Sequence, residues 1–372
     1  MKQNIFYNAI HAPIGAHSTF TLGCKGRKGG LGIELHKPAD QNLCIGLETK
    51  TPGRYEALPF WEGSDEALRF DHMAAGKAKP NALTPFPDDA VRRVMTAGRD
   101  VWTAGDFRME IVSPTMPAPN PATASLDEQK LAYCPAVIVE LTVDNTDCDH
   151  ARRAFFGFEP SDSDGMTIYE SPSGVACGHS YGVFTDAPDV VCGRGFSGEN
   201  ILTDSDKHIE NVDFGLGQTG LLIFSAPPRK VSKFRIAVVF FRKGIVTTGI
   251  ECSYWYSRLF SSILDAADFA LKNFDRLLEK AAETDRRFPV ESLNPAQKFQ
   301  FAHAFNSYYG STQLLDRDGT PLWLVNEGEY RMMNTLDLVV DQVFFELLQN
   351  PWTVDNELDL FVSRYSYVDK VH

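Results

Sequence analysis

The densest group of reactive side chains lies in residues 326–334, which read Asn-Glu-Gly-Glu-Tyr-Arg-Met-Met-Asn. The segment follows an apolar run at 322–325 and precedes a helical pattern, and loops at such junctions present side chains from rigid supports. In an extended segment Glu327 and Glu329 point to the same side. Together with Arg331, this group predicts a catalytic or binding site. The alternative is a solvated loop with a structural Glu–Arg pair.

Two further carboxylates, Asp337 and Asp341, lie four residues apart on the helix that follows, among apolar neighbours. They could bind the hydroxyl groups of a ligand or brace the site. The alternative is that Asp337 has a structural role, because a carboxylate at the start of a helix is stabilised by the positive end of the helix dipole. For Asp341 the alternative is a buried, hydrogen-bonded side chain.

Three histidines are weaker candidates. His11 and His17 lie in one short segment near the start of the chain, and His303 lies on a predicted helix. None of them has a partner at a spacing typical of a metal site or a catalytic site. A structural role is therefore the leading interpretation, and a site role is the alternative.

Several kinds of site are excluded by their missing residues. The glycine-rich residues 23–32 lack the Gly-Lys-Ser/Thr of a phosphate-binding loop, and residues 162–165 lack most ligands of a calcium loop. No Gly-x-Ser-x-Gly motif occurs. The seven cysteines include no Cys-x-x-Cys pair, which indicates reduced thiols and neither a disulfide framework nor a zinc site. We expect no metal and no organic cofactor.

The composition of the chain disfavours some classes of binding partner. The 372 residues carry a net charge of −13, which disfavours binding to nucleic acid. The longest fully apolar run, at 236–241, is too short to span a bilayer, and the first residues lack an apolar signal region. These features predict a cytoplasmic protein that contacts no membrane. The aromatic content of 12% suits a large core or, less commonly, a site lined with rings.

Residues 1–255 are predicted to form an antiparallel β-sandwich domain. Residues 137–143 alternate between apolar and other positions, as a strand does. We expect a turn at 144–146 and a returning strand at 153–158. Residues 221–225 and 233–242 are predicted to form a similar hairpin. A short helix is predicted at 126–131, after a proline-rich loop.

Helical spacing of apolar residues begins after residue 255. Residues 256–293 are predicted to be one long amphipathic linker helix. Residues 294–372 are predicted to be mainly helical. In this region Asn294 is predicted to cap a buried helix with Gly310 as the residue just past its end, and a hairpin is predicted to turn at Asp318 and Gly319.

Two more helices are expected to follow, one from about 335 to 348 and one from about 353. The first should direct Leu336, Val339, Val340, Val343, Phe344 and Leu347 inward. The second should carry an apolar stripe of Val354, Leu358, Phe361 and Tyr365.

The sequence resembles glycoside hydrolase family 52. The resemblance rests on collinear segments from residue 4 to the end of the chain, and 325–335 is the most specific. The other segments are 8–16, 135–140, 152–159, 307–310, 313–315, Asp337, 341–342 and 350–354. Residues 161–195 match poorly.

The resemblance implies an N-terminal β-sandwich and a C-terminal (α/α)6 barrel. It also implies a retaining β-xylosidase that releases xylose from the non-reducing ends of xylooligosaccharides. The nucleophile of the family corresponds to Glu327. We predict that Glu329, Arg331, Asn334, Asp337 and His11 bind the substrate.

Family members are roughly twice as long as this chain, and their general acid/base is an Asp downstream of the region present here. The barrel is therefore expected to be incomplete. A homodimer or a second chain is expected to complete it and to cover residues 335–372. The alternative is a non-catalytic fragment that acts as a sugar-binding or assembly module.

Overall fold

Two large β-sheets occupy most of the first 240 residues of the computed structural model. The structure describes residues 9–23, 28–34, 39–61, 82–160, 165–205, 210–246, 248–288, 290, 292–327 and 332–366. One sheet has eight strands in the order β12-β13-β14-β18-β10-β9-β8-β7, and the other has seven in the order β16-β15-β17-β11-β4-β5-β6. Two smaller sheets have the orders β1-β2-β3 and β19-β20-β21.

The strands are β1 (Ala9–His11), β2 (Ser18–Leu22), β3 (Gly30–Ile33), β4 (Asn42–Glu48), β5 (Tyr55–Ala57), β6 (Leu83–Pro85), β7 (Val91–Met95), β8 (Arg99–Ala104), β9 (Phe107–Val112), β10 (Ala136–Asp144), β11 (Arg152–Glu159), β12 (Met166–Glu170), β13 (Ser173–Cys177), β14 (Tyr181–Thr185), β15 (Val191–Gly195), β16 (Val212–Asp213), β17 (Thr219–Ala226), β18 (Val231–Phe240), β19 (Ser253–Tyr254), β20 (Thr312–Arg317) and β21 (Thr320–Val325). The helices are α1 (Leu126–Ala132), α2 (Gly198–Ser205), α3 (Tyr256–Leu259), α4 (Ile263–Lys272), α5 (Phe274–Arg287), α6 (Pro295–Gly310), α7 (Leu336–Gln349) and α8 (Pro351–Leu360), with a π-helical turn at Phe361–Tyr365.

The central strands of the eight-stranded sheet are buried on both faces. In β10, Val137, Val139, Leu141 and Val143 belong to the core between the two large sheets, as the alternation predicts. Ala136 and Ile138 point the other way, into a core shared with α4 and α5. The period-two pattern of this strand therefore separates two hydrophobic cores.

The predicted hairpins at 137–158 and 221–242 are wrong. β10 pairs with β18, and β11 pairs with β17, so the strands within each expected hairpin lie in different sheets. Each connection is an arch that crosses from one sheet to the other. The buried Asn145 ties the two arches together, because its Nδ2 donates to the carbonyls of Ala226 and Pro227 at 3.1 Å each.

The predicted single linker helix is also replaced by shorter elements. α3 ends before Phe260, Ser262 caps α4, and the chain breaks again at Asn273 before α5 begins. The buried residues of α4 and α5, such as Ala266 and Leu277, belong to the core on the outer side of the eight-stranded sheet. These helices therefore pack along that sheet, and their apolar spacing reflects this contact.

α6 begins as predicted. The Asn294 side chain accepts from the backbone of Ala296 and Gln297, and Pro295 occupies the first turn. Gly310, predicted to lie just past the helix, is instead its last residue, and Ser311 follows as the C-cap. The first half of α6 is partly exposed, whereas Phe305, Tyr308 and Tyr309 are buried, so the prediction of a helix buried throughout holds only for its second half.

The orientation predicted for α7 is wrong. Val339 is buried, but Leu336, Val340, Phe344 and Leu347 are exposed, and Phe344 reaches 82% exposure. The face that α7 buries instead carries Glu346 and Gln349. Buried polar groups are tolerated when they have hydrogen-bonding or proton-sharing partners. The helix can therefore bury Glu346 and Gln349 and leave its most apolar face exposed.

A broad apolar surface results at the end of the described chain. On α8 and the π-helical turn, Leu358, Val362 and Tyr365 are also exposed, and Val362 reaches 72%. Val354 is buried and Phe361 is partly buried, so only part of the predicted stripe is uncovered. No helix in the described ranges is long and apolar enough to cross a membrane. The domain boundaries at 255 and 293 remain predictions.

Candidate active site

The hairpin of β20 and β21 supports the segment that contains Glu327. Its strands pair from Thr312–Val325 to Arg317–Thr320, and the turn at Asp318 and Gly319 is confirmed. Both turn residues have positive φ, 50° and 88°, and Gly319 N donates to Asp316 Oδ1 at 2.7 Å. The hairpin therefore fixes the position at which β21 ends and the candidate site begins.

After β21, the described residues on either side of 328–331 pair with each other. Asn326 N donates to the carbonyl of Ser311 at 2.8 Å, and Asn326 pairs with Met333. Glu327 N donates to the Met332 carbonyl at 2.8 Å. Glu327 is partly buried at the start of this loop. Its backbone is thus anchored while its side chain retains access to solvent. Glu329 and Arg331 lie outside the described residues.

Asn334 closes the loop and lies close to Glu327 along this ladder. Its N–H donates to the carbonyl of Val325 at 2.7 Å, and its backbone adopts φ 53°. The side chain is 2% exposed, yet neither amide atom has a hydrogen-bond partner within the described part of the chain. A buried amide without a partner is costly, so this group is available to a ligand or a water molecule.

His17 contacts the same segment. Its Nε2 lies 3.2 Å from Nδ2 of Asn326, the residue before Glu327. His17 is 5% exposed and adopts φ 42°. Sequence reasoning left its role open, because the partner lies 309 positions away and no local spacing indicates it.

His11 belongs to a different buried cluster. Its Nε2 lies 3.1 Å from Oδ2 of Asp100, and Arg93 donates to both oxygens of Asp100 at 2.8 Å. Burial alone would raise the pKa of Asp100, but Arg93 and His11 outweigh it and lower that pKa to about 2. Asp100 thus stays ionised, and the positive charge of Arg93 balances its negative charge inside the fold. Substrate binding by His11 remains a prediction.

His303, on α6, lies near this cluster. Burial, together with the charge of Arg93, lowers its pKa to about 4. Its ring contacts Phe299, with 4.0 Å between the ring centroids. A neutral imidazole packed against an aromatic ring is consistent with the structural role preferred from the sequence.

Asp337 and Asp341 are both exposed on α7. Asp337 lies in the first turn of the helix, as the helix-dipole interpretation requires. The interpretation of Asp341 as a buried side chain is wrong. Substrate binding by Asp337 remains a prediction.

A pair of glutamates was missed by the sequence analysis. Glu346 on α7 and Glu357 on α8 are both fully buried, and their carboxyl groups lie close enough to influence each other's charge. Glu346 also accepts from the hydroxyl of Tyr308 at 2.7 Å. Burial, and then the charge of Glu346, raises the pKa of Glu357 to about 9, so the pair holds one proton at neutral pH. The available sequence signal is the spacing of Glu346, seven residues after the buried Val339.

Two other features lie away from Glu327. Cys148, Asp149 and His150 bring three potential metal-ligating atoms within 4.8 Å of one another on the β10–β11 arch. A cavity of about 700 Å³ is lined by Glu110, Glu140, Lys233 and Arg235 with segments of α5, and Glu327 is not in its lining. Neither feature contains a residue predicted to act in catalysis.

Comparison with known proteins identifies the family. The profile of glycosyl hydrolase family 52 matches residues 20–372. Two proteins of Geobacillus stearothermophilus, each named beta-xylosidase, are 45% identical over 381 residues and 40% identical over 391 residues. The alignments cover all of this chain but 54% and 62% of the two relatives, so the chain spans little more than half their length. The resemblance inferred from the sequence is confirmed: the chain belongs to glycosyl hydrolase family 52.

Proposed function

We propose that this chain carries the nucleophile of a retaining β-xylosidase, and that the nucleophile is Glu327. The proposal is supported most directly by the position of Glu327 in a chain of this family. The residue is partly buried at the end of β21, in a loop whose backbone is paired at both ends. A nucleophile needs such support because small displacements from the reactive geometry cost large factors in rate.

The proposed reaction has two displacements. In the first, a carboxylate oxygen of Glu327 attacks the anomeric carbon, the glycosidic C–O bond breaks, and an acid protonates the departing oxygen. In the second, the same acid, now a carboxylate, removes a proton from water. The water attacks the anomeric carbon and releases xylose and Glu327. Two inversions leave the configuration of the sugar unchanged.

The acid/base is proposed to be an Asp from outside these 372 residues, placed about 5–5.5 Å from Glu327 as retaining enzymes require. The two beta-xylosidases extend well beyond the aligned region, so they have room for such a residue. In the same view the two large sheets are the β-sandwich of the enzyme, and α6, α7 and α8 begin its (α/α)6 barrel.

The substrate is proposed to be a xylooligosaccharide bound at its non-reducing end. Asn334 is the predicted ligand with the strongest structural support, because its buried amide has no partner in the described ranges. Glu329 and Arg331 are proposed to bind sugar hydroxyls from the same loop, with Asp337 and His11 assigned more distant contacts. A hydroxyl donates and accepts, and it would satisfy both atoms of the Asn334 amide.

The test is covalent labelling with 2,4-dinitrophenyl 2-deoxy-2-fluoro-β-xyloside. Dinitrophenolate departs without protonation, so the reaction needs the nucleophile but not the acid/base. We expect the mass of the protein to increase by one fluoroxylosyl group, attached to Glu327, and Glu327→Gln to abolish the labelling. The matched fluoroglucoside should react more slowly.

Binding of xylose or xylobiose without any labelling would favour the alternative, a sugar-binding or assembly module. Labelling at Glu329, with Glu327 unmodified, would show that the nucleophile is the other carboxylate of the loop.

A further inference from the structure

The segment around His17 joins the sheet that supports the candidate nucleophile. Leu314 N donates to the carbonyl of Gly15 at 2.8 Å, and His17 N donates to the carbonyl of Thr312 at 2.9 Å. Ala16 pairs with Gln313 between them. Residues 15–17 therefore run along the edge of β20 opposite β21, beside the start of the strand that leads away from the candidate site.

This position brings the imidazole across β20 to the beginning of the loop. Thr312 pairs with Val325, and the next residue, Asn326, is within hydrogen-bond distance of His17. Asn326 is 2% exposed and directly precedes Glu327. A side chain from the first strands of the fold thus contacts the residue adjacent to the proposed nucleophile.

The chemistry of the contact fixes the state of the ring. In this structure the Asn326 amide nitrogen faces Nε2 of His17, and because that nitrogen can only donate, Nε2 accepts and Nδ1 carries the proton. Protonated histidine could not accept this hydrogen bond. The contact therefore requires a neutral imidazole in one tautomer.

The backbone of His17 is held in an uncommon conformation. A residue other than glycine at φ 42° is rare, and such residues concentrate at functional sites. The conformation is maintained from both sides. Glu34 N donates to the His17 carbonyl at 2.8 Å, and the Ser18 hydroxyl donates to the carbonyl of Ala16 at 2.8 Å.

We propose that His17 is a positioning residue for Glu327, acting through the side chain of Asn326. Accepting the hydrogen bond from Asn326 holds that amide in place, and the backbone that continues into Glu327 is held with it. This inference rests on the proposed function of Glu327. It assigns to His17 no proton transfer and no contact with the sugar.

The experiment uses the fluoroxyloside on His17→Leu and His17→Gln, and it separates the limiting rate constant of labelling from the concentration that gives half of that rate. His17→Leu removes the acceptor, and we expect the limiting rate constant to fall by about tenfold or more, with the half-saturating concentration changed by less than about threefold. His17→Gln supplies an amide oxygen near the position of Nε2 and should recover most of the rate. The exposed His179→Leu is the control and should label like the wild type.

A double-mutant cycle tests the route through Asn326. Asn326→Ala should lower the rate constant to a similar extent as His17→Leu, and the double variant should be no slower than either single variant. Additive losses would show that the two side chains act independently and would overturn the inference. Because Asn326→Ala leaves His17 in place, this variant also provides the test if His17→Leu does not fold.

A spectrum gives a readout independent of labelling. With ¹⁵N-labelled histidine, Nε2 of His17 should appear as an unprotonated nitrogen at neutral pH. A proton on Nε2 would exclude donation from Asn326 to His17, the direction that this inference requires, and would overturn the inference.

The two possible failures are distinguishable. Labelling of Glu327 that is unchanged in His17→Leu leaves the proposed function standing and overturns the role of His17. Absence of labelling in the wild type overturns the proposed function, and the role of His17 fails with it.

Discussion

Glu327 lies in a loop that is fixed by its backbone at both ends. Its N–H donates to Met332, and Asn326 pairs with Met333. These bonds do not involve the carboxyl group of Glu327. Replacing that side chain should therefore change the chemistry of the site much more than the fold.

In the complete enzyme, which includes the acid/base, Glu327→Gly should lower hydrolysis of an activated aryl β-xyloside by at least about a thousandfold, because the covalent intermediate cannot form. Azide or formate should restore part of the turnover by attacking the anomeric carbon from the vacated space. With azide, the product should be the glycosyl azide of inverted configuration, because one displacement replaces two. Product analysis by NMR measures this outcome.

Glu329→Gly is the matched control from the same loop. It should weaken binding or catalysis less than Glu327→Gly does, and azide should have no effect on it. Full activity in Glu327→Gly combined with loss in Glu329→Gly would contradict the assignment.

The buried pair of Glu346 and Glu357 makes stability depend on pH. Glu357 has a raised pKa in the folded chain, about 9, whereas the unfolded chain releases that proton near the ordinary value of 4.5. The stabilising effect of the bound proton is therefore fully present below about pH 4.5. It is lost as the pH rises toward 9, because the unfolded state has by then given up its proton.

Glu357→Gln should remove this dependence, because its amide can donate to Glu346 at every pH. Between pH 5 and pH 8, the free energy of unfolding of the variant should increase relative to wild type by about 4 kcal/mol. Urea unfolding at the two pH values measures the change. The exposed Asp355→Asn, on the same helix, should show no such difference, and an equal shift in both variants would contradict the prediction.

At the scale of single elements, local signals predicted some helix starts and one tight turn correctly. The Asn294 cap, the turn at Asp318 and Gly319, and the short helix α1 all follow from side chains that bond to their own neighbouring backbone. The face buried by α7 could not be predicted in this way. Its orientation depends on Tyr308, whose hydroxyl donates to the carboxyl of Glu346, and on Glu357, whose carboxyl group interacts with that of Glu346 from α8.

The restriction of sequence signals to nearby residues also explains which site residues the sequence indicated. Glu327 and Asn334 are close in sequence and were found together, whereas the contact between His17 and Asn326 spans most of the chain. Where a partner lies far along the chain, residue type and spacing cannot indicate it. The structure was needed for that part of the candidate site.

The strand extension at residues 15–17 depends on glycine. Gly15 has φ 67°, and a Cβ atom there would lie 2.7 Å from Cβ of Leu314. Gly15→Ala should therefore destabilise the chain by more than the roughly 1 kcal/mol of backbone strain, because β20 must move away. Thermal or urea unfolding measures the loss.

Gly105→Ala is the control that separates the cost of backbone strain from the cost of a steric contact. Gly105 has φ 55°, but a Cβ atom there would meet nothing within 4 Å. This variant should lose only the strain contribution. Equal losses in the two variants would show that residues 15–17 are not packed tightly against β20.

At the scale of the whole molecule, the apolar surface of α7, α8 and the π-helical turn is the most unusual feature. Phe344 on α7 is 82% exposed and Val362 on the π-helical turn is 72% exposed. Large exposed apolar patches are uncommon on monomers and are typical of surfaces that another polypeptide covers. Consistent with the expected dimer or second chain, we propose that this surface is covered in the assembled enzyme.

The purified chain should accordingly self-associate, and Phe344→Glu together with Val362→Glu should shift it toward the monomer. Sedimentation velocity over a range of concentrations measures the change. Val94→Glu is the control, because Val94 is exposed but lies on β7, away from this surface. A wild-type chain that stays monomeric at high concentration would contradict the prediction.

The two arches at Asn145 have a consequence for how the chain is synthesised and folds. β10 pairs with β18, and β11 pairs with β17. The early strands β10 and β11 can therefore complete these pairings only after about 240 residues have been made. Contacts this distant along the chain form slowly, because a long loop must close before they contribute. During that interval β10, one of the most apolar strands of the fold, lacks one neighbour. A pause in translation before β18 has left the ribosome would prolong this exposure, and a pause after β18 has left it would not.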